Sequence, residues 1–137
     1  MIVQDFYLQD YDWKIRGYFA VDKYYIDDIL GDLWYIGLDG KNAKNAYKNL
    51  YANKLNTGLC FSNPEKRMTI IVTALTSEAK EFAHSWVHEL THCACHIAKE
   101  DSIDKMSEEF AYLTGNLAMQ TFPAIKKLLC DCCRKEH

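Results

Sequence analysis

Apolar residues recur at helical spacing soon after position 22. They occupy positions i, i+3, i+4, i+7 and i+8 and are Ile26, Ile29, Leu30, Leu33 and Trp34. This stripe predicts an amphipathic helix that Asp22 caps and Gly37 ends. Residues 41–54 repeat the pattern and predict a second helix with one apolar side. The members of that side are Ala43, Ala46, Tyr47, Leu50 and Tyr51.

Two segments in the second half of the chain also have helical periodicity. Residues 77–99 predict a long helix, which Thr76 or Ser77 caps at its start. Residues 104–120 predict another helix, and Pro123 is expected to open a last helix toward the C-terminus.

Three segments have the composition of β-strands. Residues 13–21 predict one strand, while 58–62 and 67–73 predict two more strands joined by a turn at 63–66. This combination predicts an α+β fold with a small sheet of about three strands that contains an antiparallel pair. The chain length suits a single domain over residues 1–137, with further helices before and after the 77–99 helix.

Two histidines stand four residues apart in the segment His88-Glu89-Leu90-Thr91-His92. On a helix both imidazoles lie on one face and can bind one metal ion, and Glu89 between them can act as a general base. The apolar residues of the same helix form a stripe on the other face, namely Ala83, Trp86, Val87, Leu90, Ala94 and Ile97. The spacing therefore predicts that His88 and His92 are metal ligands presented to a cleft.

His84 and His96 continue the same four-residue spacing on either side of the pair. Each step turns by about 40° around the helix, so we interpret these histidines as supporting the site or facing solvent. A weak second metal site, or a hydrogen-bond donor to the transition state, is the alternative. Cys93 and Cys95 lie about 200° apart around the axis, so we interpret both as reduced thiols rather than joint ligands.

A catalytic zinc ion usually has three protein ligands and one position for water. The acidic residues that follow the histidines are Glu100, Asp101, Asp104, Glu108 and Glu109. Glu108 shares a helix face with the small residues Ala111 and Gly115, which predicts a close approach to a neighbouring helix. Glu109 shares a polar face and is expected to point to solvent. We therefore favour Glu108 as the third ligand over Glu109, with two ordinary surface glutamates at a helix start as the alternative.

Tyr112 stands one helical turn after Glu108 on the same predicted face. Its hydroxyl can donate a hydrogen bond to a developing oxyanion, or can stabilise the zinc site by contacting the ligands without binding the metal itself. Simple packing is the alternative interpretation of this tyrosine.

Composition and charge restrict the function classes. The chain is 49% hydrophobic and 26% charged with a net charge of −3, which is typical of a folded domain. The absence of a basic block argues against a nucleic-acid partner, and no apolar run is long enough to span a membrane. The first residues lack a basic region followed by an apolar core, so we expect no signal peptide, a cytoplasmic location and reduced cysteines.

Cys130, Cys132 and Cys133 form a cluster close to His137. Cys130 and Cys133 are three residues apart and could share a metal ion with His137, although the cluster is too compressed for a regular four-ligand zinc site. We favour a frayed helix end with reduced thiols.

Several motifs together resemble a known family. They are Thr69-Ile-Ile-Val, Thr76-Ser-Glu-Ala-Lys-Glu-Phe, His88-Glu-Leu-Thr-His and Glu108-Glu-Phe-Ala-Tyr-Leu-Thr-Gly. Over residues 57–120 they resemble small zincin-like proteins of gut bacteria, phages and mobile elements, and their order is also that of gluzincins such as thermolysin. The resemblance implies a minimal zincin-like core in which the sheet packs against the histidine-bearing helix. It also implies that His88, His92 and Glu108 bind Zn²⁺ and that Glu89 is the general base.

These features predict a zinc-dependent hydrolase, specifically a peptidase that acts on a peptide or protein substrate. Glu89 would take a proton from a metal-activated water as that water attacks a carbonyl. Residues 67–75 are expected to pair with an extended substrate as an edge strand. The alternative is a non-catalytic, zincin-like metal-binding protein that acts in partner binding or regulation.

Overall fold

The computed structural model describes residues 1–21, 26–37, 44, 45, 48 and 58–134. The strands in these ranges are β1 (Ile2–Leu8), β2 (Trp13–Val21), β3 (Gly58–Asn63) and β4 (Met68–Ala74). The α-helices are α1 (Ile26–Tyr35), α2 (Ala79–Glu100), α3 (Glu108–Ile125) and α4 (Asp131–Arg134). The fold is therefore α+β, as predicted. The helix predicted over 41–54 falls almost entirely outside the described residues.

The described strands form one mixed sheet in the order β1-β2-β4-β3. β1 and β2 are antiparallel, β2 and β4 are parallel, and β3 and β4 are antiparallel. The predicted hairpin is thus confirmed as β3 and β4. Because β4 pairs with a strand on each side, the expectation that residues 67–75 offer a free edge is wrong. In the described sheet, β3 is the edge strand on this side.

β1 is a fourth strand that the sequence pattern did not reveal. Ile2 and Phe6 pack toward the core, whereas Val3 and Tyr7 point outward and are 50% and 47% exposed. Because apolar residues occupy both faces, the segment lacks the alternation from which a half-buried strand is recognised. The strand is formed because every residue of β1 pairs with β2 in an antiparallel ladder.

Helices cover both faces of the sheet. α2 and α3 pack on one face, and the fully buried residues there include Trp13, Phe19, Ile71, Phe82, Ile97, Leu113 and Leu117. α1 packs on the other face, where the core joins Tyr18, Val21, Ile26, Ile29, Leu33, Ile36, Ile70 and Val72. The sheet is therefore the central layer of the fold.

α1 follows the stripe that predicted it. Ile26, Ile29 and Leu33 are buried, whereas Trp34 at the margin of the stripe is 66% exposed. Gly37 follows the helix with φ +108°, a conformation that glycine adopts readily at helix ends. Asp22, the expected cap, lies outside the described residues.

The start of α2 is capped from a distant part of the chain. Neither Thr76 nor Ser77 is the cap, because the helix begins after Glu78, which makes no side-chain capping bond. The Ala79 N–H instead donates to Asp131 Oδ1 over 2.8 Å, across 52 positions of sequence. The predicted local cap is wrong because a residue near the other end of the chain supplies the acceptor.

α3 begins and ends later than predicted. Ser107 caps it by accepting a hydrogen bond from the Phe110 N–H at 3.2 Å, so the helix starts at Glu108 rather than at 104. The helix runs through Pro123, so the prediction that this proline opens a last helix is wrong. In the last turn, proline removes only one backbone hydrogen bond. A 3₁₀ turn at Lys126–Leu129 and the short α4 follow.

Gly58 lets the edge strand β3 start in close contact with two neighbours. A Cβ at this position would lie 2.0 Å from the Val72 carbonyl oxygen and 3.2 Å from Glu89 Cγ. Its φ of +149° is rarely adopted by residues with a side chain. Glycine is therefore required where β3 meets β4 and α2.

We predict that Gly58→Ala lowers the free energy of unfolding by about 2–3 kcal/mol, because both the backbone conformation and the Val72 contact become strained. Urea denaturation measures the change. Gly115→Ala is the control, since nothing lies within 4 Å of a Cβ built there. As a helical position it should gain about 0.5–1 kcal/mol. A Gly58→Ala protein as stable as the wild type would contradict the tight contact.

Candidate metal centre

His88 and His92 are brought together on the exposed side of α2. Their Nε2 atoms lie 3.2 Å apart, and their rings are inclined at 67° with centroids separated by 4.9 Å. Two nitrogens that bind one tetrahedral zinc ion at about 2.0–2.1 Å lie about 3.4 Å apart. The pair therefore has the spacing that chelation of one ion requires. The same separation also permits a hydrogen bond in which one imidazole donates to the other.

Glu89 lies beside this pair but inside the protein. Its side chain is 3% exposed, whereas that of His88 is 43% exposed, and its Oε1 is 3.9 Å from His88 Nε2. The contact with Gly58 described above places the Glu89 side chain against the start of β3. The arrangement combines two accessible imidazoles with a buried carboxylate beside them.

The strand β3 runs along α2 and meets it turn by turn. Gly58 faces Glu89, and farther along Cys60 contacts Cys93 and Ser62 contacts His96. Alternate residues of a strand share one face, which is why positions 58, 60 and 62 all point to the helix. The pKa of the Cys60 thiol is raised well above its usual range, first by its hydrogen bond with Cys93 and then by burial. The residues of β3 at this interface are partly buried against α2.

His96 is tied to the sheet by a chain of hydrogen bonds. Its Nδ1 lies 2.7 Å from Ser62 Oγ, which lies 2.6 Å from Thr69 Oγ1. Thr69 Oγ1 also accepts a hydrogen bond of 2.7 Å from the indole N–H of the buried Trp13. Burial lowers the pKa of His96, and the nearby His92, Lys99 and Lys105 lower it further. His96 thus connects the histidine face of α2 to the core.

His84 occupies the other end of the histidine row. Its ring centroid is 5.9 Å from that of His88, while His92 and His96 are 6.5 Å apart. Both separations exceed the 4.9 Å of the central pair, which agrees with the drift expected along a helix. His84 is exposed, and His96 is the partly buried member of the row.

The third donor is not identified by the described residues. In the ranges that the structure covers, no three His, Cys, Asp or Glu side chains are grouped so that they could hold one ion. α3, which carries Glu108, packs on another flank of α2, where the Trp86 indole N–H donates to Thr121 Oγ1 at 2.9 Å. His88 lies about 200° around the helix from Trp86. Glu108 as the third ligand stays a prediction.

The helix-face argument that favoured Glu108 is wrong. Ala111 and Gly115 do not face a neighbouring helix: both are exposed, and nothing lies within 4 Å of a Cβ built on Gly115. Glu109 is exposed but is not directed only at solvent, since it contacts Tyr11 near the end of β1. The pKa of Tyr11 is raised by burial first and by Glu109 second. The start of α3 therefore contacts the turn between β1 and β2.

Tyr112 lies on the same exposed face of α3 and is 69% exposed. Its predicted contribution to an oxyanion site stays a prediction. Val87, expected within the apolar stripe of α2, is 56% exposed, whereas Phe82, Cys93 and Ala98, which lie outside that stripe, are buried. The buried face of α2 is therefore displaced from the predicted one and wider. All six cysteines are present as thiols, including the buried Cys93 and the partly exposed Cys95.

A cavity of about 750 Å³ lies on the opposite face of the sheet, between α1 and strands β1, β2 and β4. Arg16 lines it and is held by Asp5 at 2.6 Å and Asp32 at 3.0 Å. The Arg16 guanidinium keeps the pKa of Asp5 below its usual range, against the opposing effect of partial burial. This ionic cluster is separated from the histidine pair by the sheet.

The chain matches no protein-family model, no curated protein and no solved structure. The resemblance to zincins noted from the sequence motifs therefore stays a prediction. Among the helices of the described ranges, none has the length and apolar character needed to cross a bilayer.

We predict that Thr69→Val lowers the free energy of unfolding by about 1–3 kcal/mol, because the buried Trp13 indole N–H loses its acceptor. The matched control is Thr114→Val on α3, whose hydroxyl donates to the Ala111 carbonyl at an exposed position. The control should change stability by less than about 0.5 kcal/mol. Equal losses in the two variants, measured by urea denaturation, would show that the Trp13 contact is not the cause.

Proposed function

We propose that this protein is a zinc-dependent hydrolase that cleaves peptide bonds. In this proposal His88 and His92 bind the ion through Nε2 and Glu89 is the general base. The observation that carries it is the 3.2 Å separation of the two Nε2 atoms beside the buried Glu89 carboxylate. Two such donors and one adjacent carboxylate are the chemistry expected of a hydrolytic zinc site.

In this proposal the two histidines and Glu89 have different chemical roles. Zinc bound there would polarise a carbonyl and lower the pKa of water. His88 and His92 would bind as neutral rings, each holding its proton at Nδ1. Glu89 would accept a proton at its carboxylate and return it to the leaving amine. Its burial under Gly58 supports this role, because a fixed base needs little reorganisation during the reaction.

The edge strand β3 is the proposed binding place for the substrate backbone. In the described sheet, β3 has β4 as its strand neighbour on one side only, and its inward face meets the site helix. An extended peptide could add to its outer side by main-chain hydrogen bonds. This assigns to β3 the role that the sequence pattern assigned to residues 67–75.

A non-catalytic role is the second candidate, and the exposure of the histidines favours it. His88 is 43% exposed at its side chain, so an ion bound there would be accessible to a donor from a partner protein. The protein would then bind metal and partner without turnover. The two candidates share the metal site and differ only in the hydrolytic step.

We predict that the purified, untagged protein binds about one equivalent of zinc per chain. His92→Ala should weaken zinc binding at least about 100-fold, because it removes a direct ligand. His84→Ala is the control, since this exposed histidine lies on the same helix outside the pair. Zinc affinity is measured by titration with competing chelators. Failure to bind zinc, or equal losses in both variants, would refute the site.

The same titration tests the third ligand. We propose Glu108 as that ligand and predict that Glu108→Ala weakens zinc binding at least about tenfold relative to Glu109→Ala. Equal affinities in the two variants would defeat the assignment, and a larger loss in Glu109→Ala would invert it.

We predict that Glu89→Gln retains zinc but loses peptide hydrolysis by at least about 100-fold, because the amide keeps the shape of the carboxylate without its basicity. Zinc content and cleavage of a peptide library are measured on the same preparations. Loss of zinc from Glu89→Gln would mean that Glu89 is a ligand. Zinc binding without hydrolysis by the wild-type protein would favour the non-catalytic candidate.

A further inference from the structure

The segment that follows α3 is anchored to the start of α2 and to the residues just before it. Asp131 accepts the Ala79 N–H at 2.8 Å, and the Arg134 guanidinium donates to the Thr76 carbonyl oxygen. These contacts are made by α4, whose first and last residues are Asp131 and Arg134. The described part of this segment is therefore held in one conformation rather than frayed, contrary to the expectation from the sequence.

Within this anchored turn, Cys130 and Cys133 lie next to each other. The Arg134 N–H donates to the Cys130 carbonyl oxygen at 3.1 Å, which closes one helical turn. Cys130 stands at the cap position of this turn with extended backbone, and Cys133 is the third residue of α4. A cap side chain points toward the second and third residues of its helix, so this placement directs the Cys130 sulfur toward Cys133. The two thiols are already in hydrogen-bonding contact. Both are partly exposed, so a small reagent can reach them.

The surroundings of Cys130 favour its reactive form. The pKa of Cys130 is lowered, first by the backbone N–H of Cys133, then by the Cys133 thiol and the backbone N–H of Cys132. Partial burial and Asp131 oppose this effect without cancelling it. Cys60 provides the contrast, because its pKa is raised beside Cys93. Since the thiolate is the nucleophile in sulfur exchange, Cys130 is better suited to attack than Cys60.

We propose that Cys130 and Cys133 form a reversible dithiol–disulfide site that reacts with low-molecular-weight disulfides. It uses residues that the proposed metal centre does not use. The anchoring of Asp131 and Arg134 to α2 keeps the two sulfurs close, so the second step of the reaction needs little rearrangement.

The reaction has two exchange steps. The Cys130 thiolate, having lost its proton to solvent, attacks one sulfur of the small disulfide, forms a mixed disulfide and releases one thiolate, which takes a proton from solvent. Cys133 then loses its proton and attacks the Cys130 sulfur. This step closes the Cys130–Cys133 bond and releases the second small thiol. Two protein thiols are oxidised and one disulfide is reduced to two thiols.

The test uses the full chain and glutathione disulfide. After incubation, the remaining thiols are alkylated and the chain is digested with trypsin. The peptide from Leu128 to Arg134 carries all three cysteines of the segment, so fragment ions must assign the pairing. We expect a Cys130–Cys133 disulfide. In the reduced protein, Cys130 should be alkylated at least about tenfold faster than the exposed Cys132.

Two variants separate the roles of the cysteines. Cys133→Ser should stop the reaction at a mixed disulfide between Cys130 and glutathione, because the resolving thiol is missing. Cys132→Ser is the matched control and should form the internal disulfide as the wild type does. A disulfide that involves Cys132, alkylation of Cys130 no faster than that of Cys132, or no mixed disulfide in Cys133→Ser would each overturn the proposal.

Discussion

Contact between the edge strand β3 and the helix α2 determines where the polar residues of the candidate site lie. The strand can approach this closely because Gly58 has no side chain to collide with Val72 or Glu89. From that point, alternate strand residues meet successive turns of the helix, ending at the Ser62–His96 hydrogen bond of 2.7 Å. Gly58 therefore permits the close approach of β3 to Val72 and Glu89 at this point.

This packing has an energetic consequence for the site. Holding a carboxylate away from water costs free energy unless hydrogen bonds or a nearby positive charge stabilise it. The Glu89 side chain is 3% exposed, only 3.9 Å from the imidazole of His88. A zinc ion on the histidine pair would place a double positive charge beside the carboxylate. In the proposed function, metal binding would therefore also stabilise the fold around α2.

Local sequence patterns were sufficient for the elements that carry the site. The four-residue spacing of His88 and His92 predicted their pairing on one helix face, and the hairpin of β3 and β4 followed from strand composition and a turn at Asn63. The patterns did not predict features that depend on contacts with segments distant in sequence. The strand order, which makes β3 rather than β4 the edge, depends on parallel pairing with β2. No local periodicity contains that information.

The same distinction explains the errors at the helix ends. Asp131 caps α2 across 52 residues, so the Thr76 and Ser77 hydroxyls that looked suitable in sequence are not needed for this purpose. Glu109 contacts Tyr11, which the periodicity of α3 could not show. Asp131 and Glu109 both lie on exposed faces of their own helices, yet each contacts a different element of the fold. Helical periodicity separates buried faces from exposed ones, but it does not say which exposed polar residues will find tertiary partners.

α2 is consequently held on three sides by contacts of different kinds. Asp131 holds its first turn, Thr121 of α3 accepts from Trp86 on one flank, and β3 packs against the other. The face left accessible is the one that carries His88 and His92. Among the residues that the structure describes, His88 and His92 are exposed and Glu89 is buried, so a ligand or partner can reach the histidines without displacing the core. In the proposed function, an ion would bind at this surface and the Glu89 carboxylate would act from the buried side.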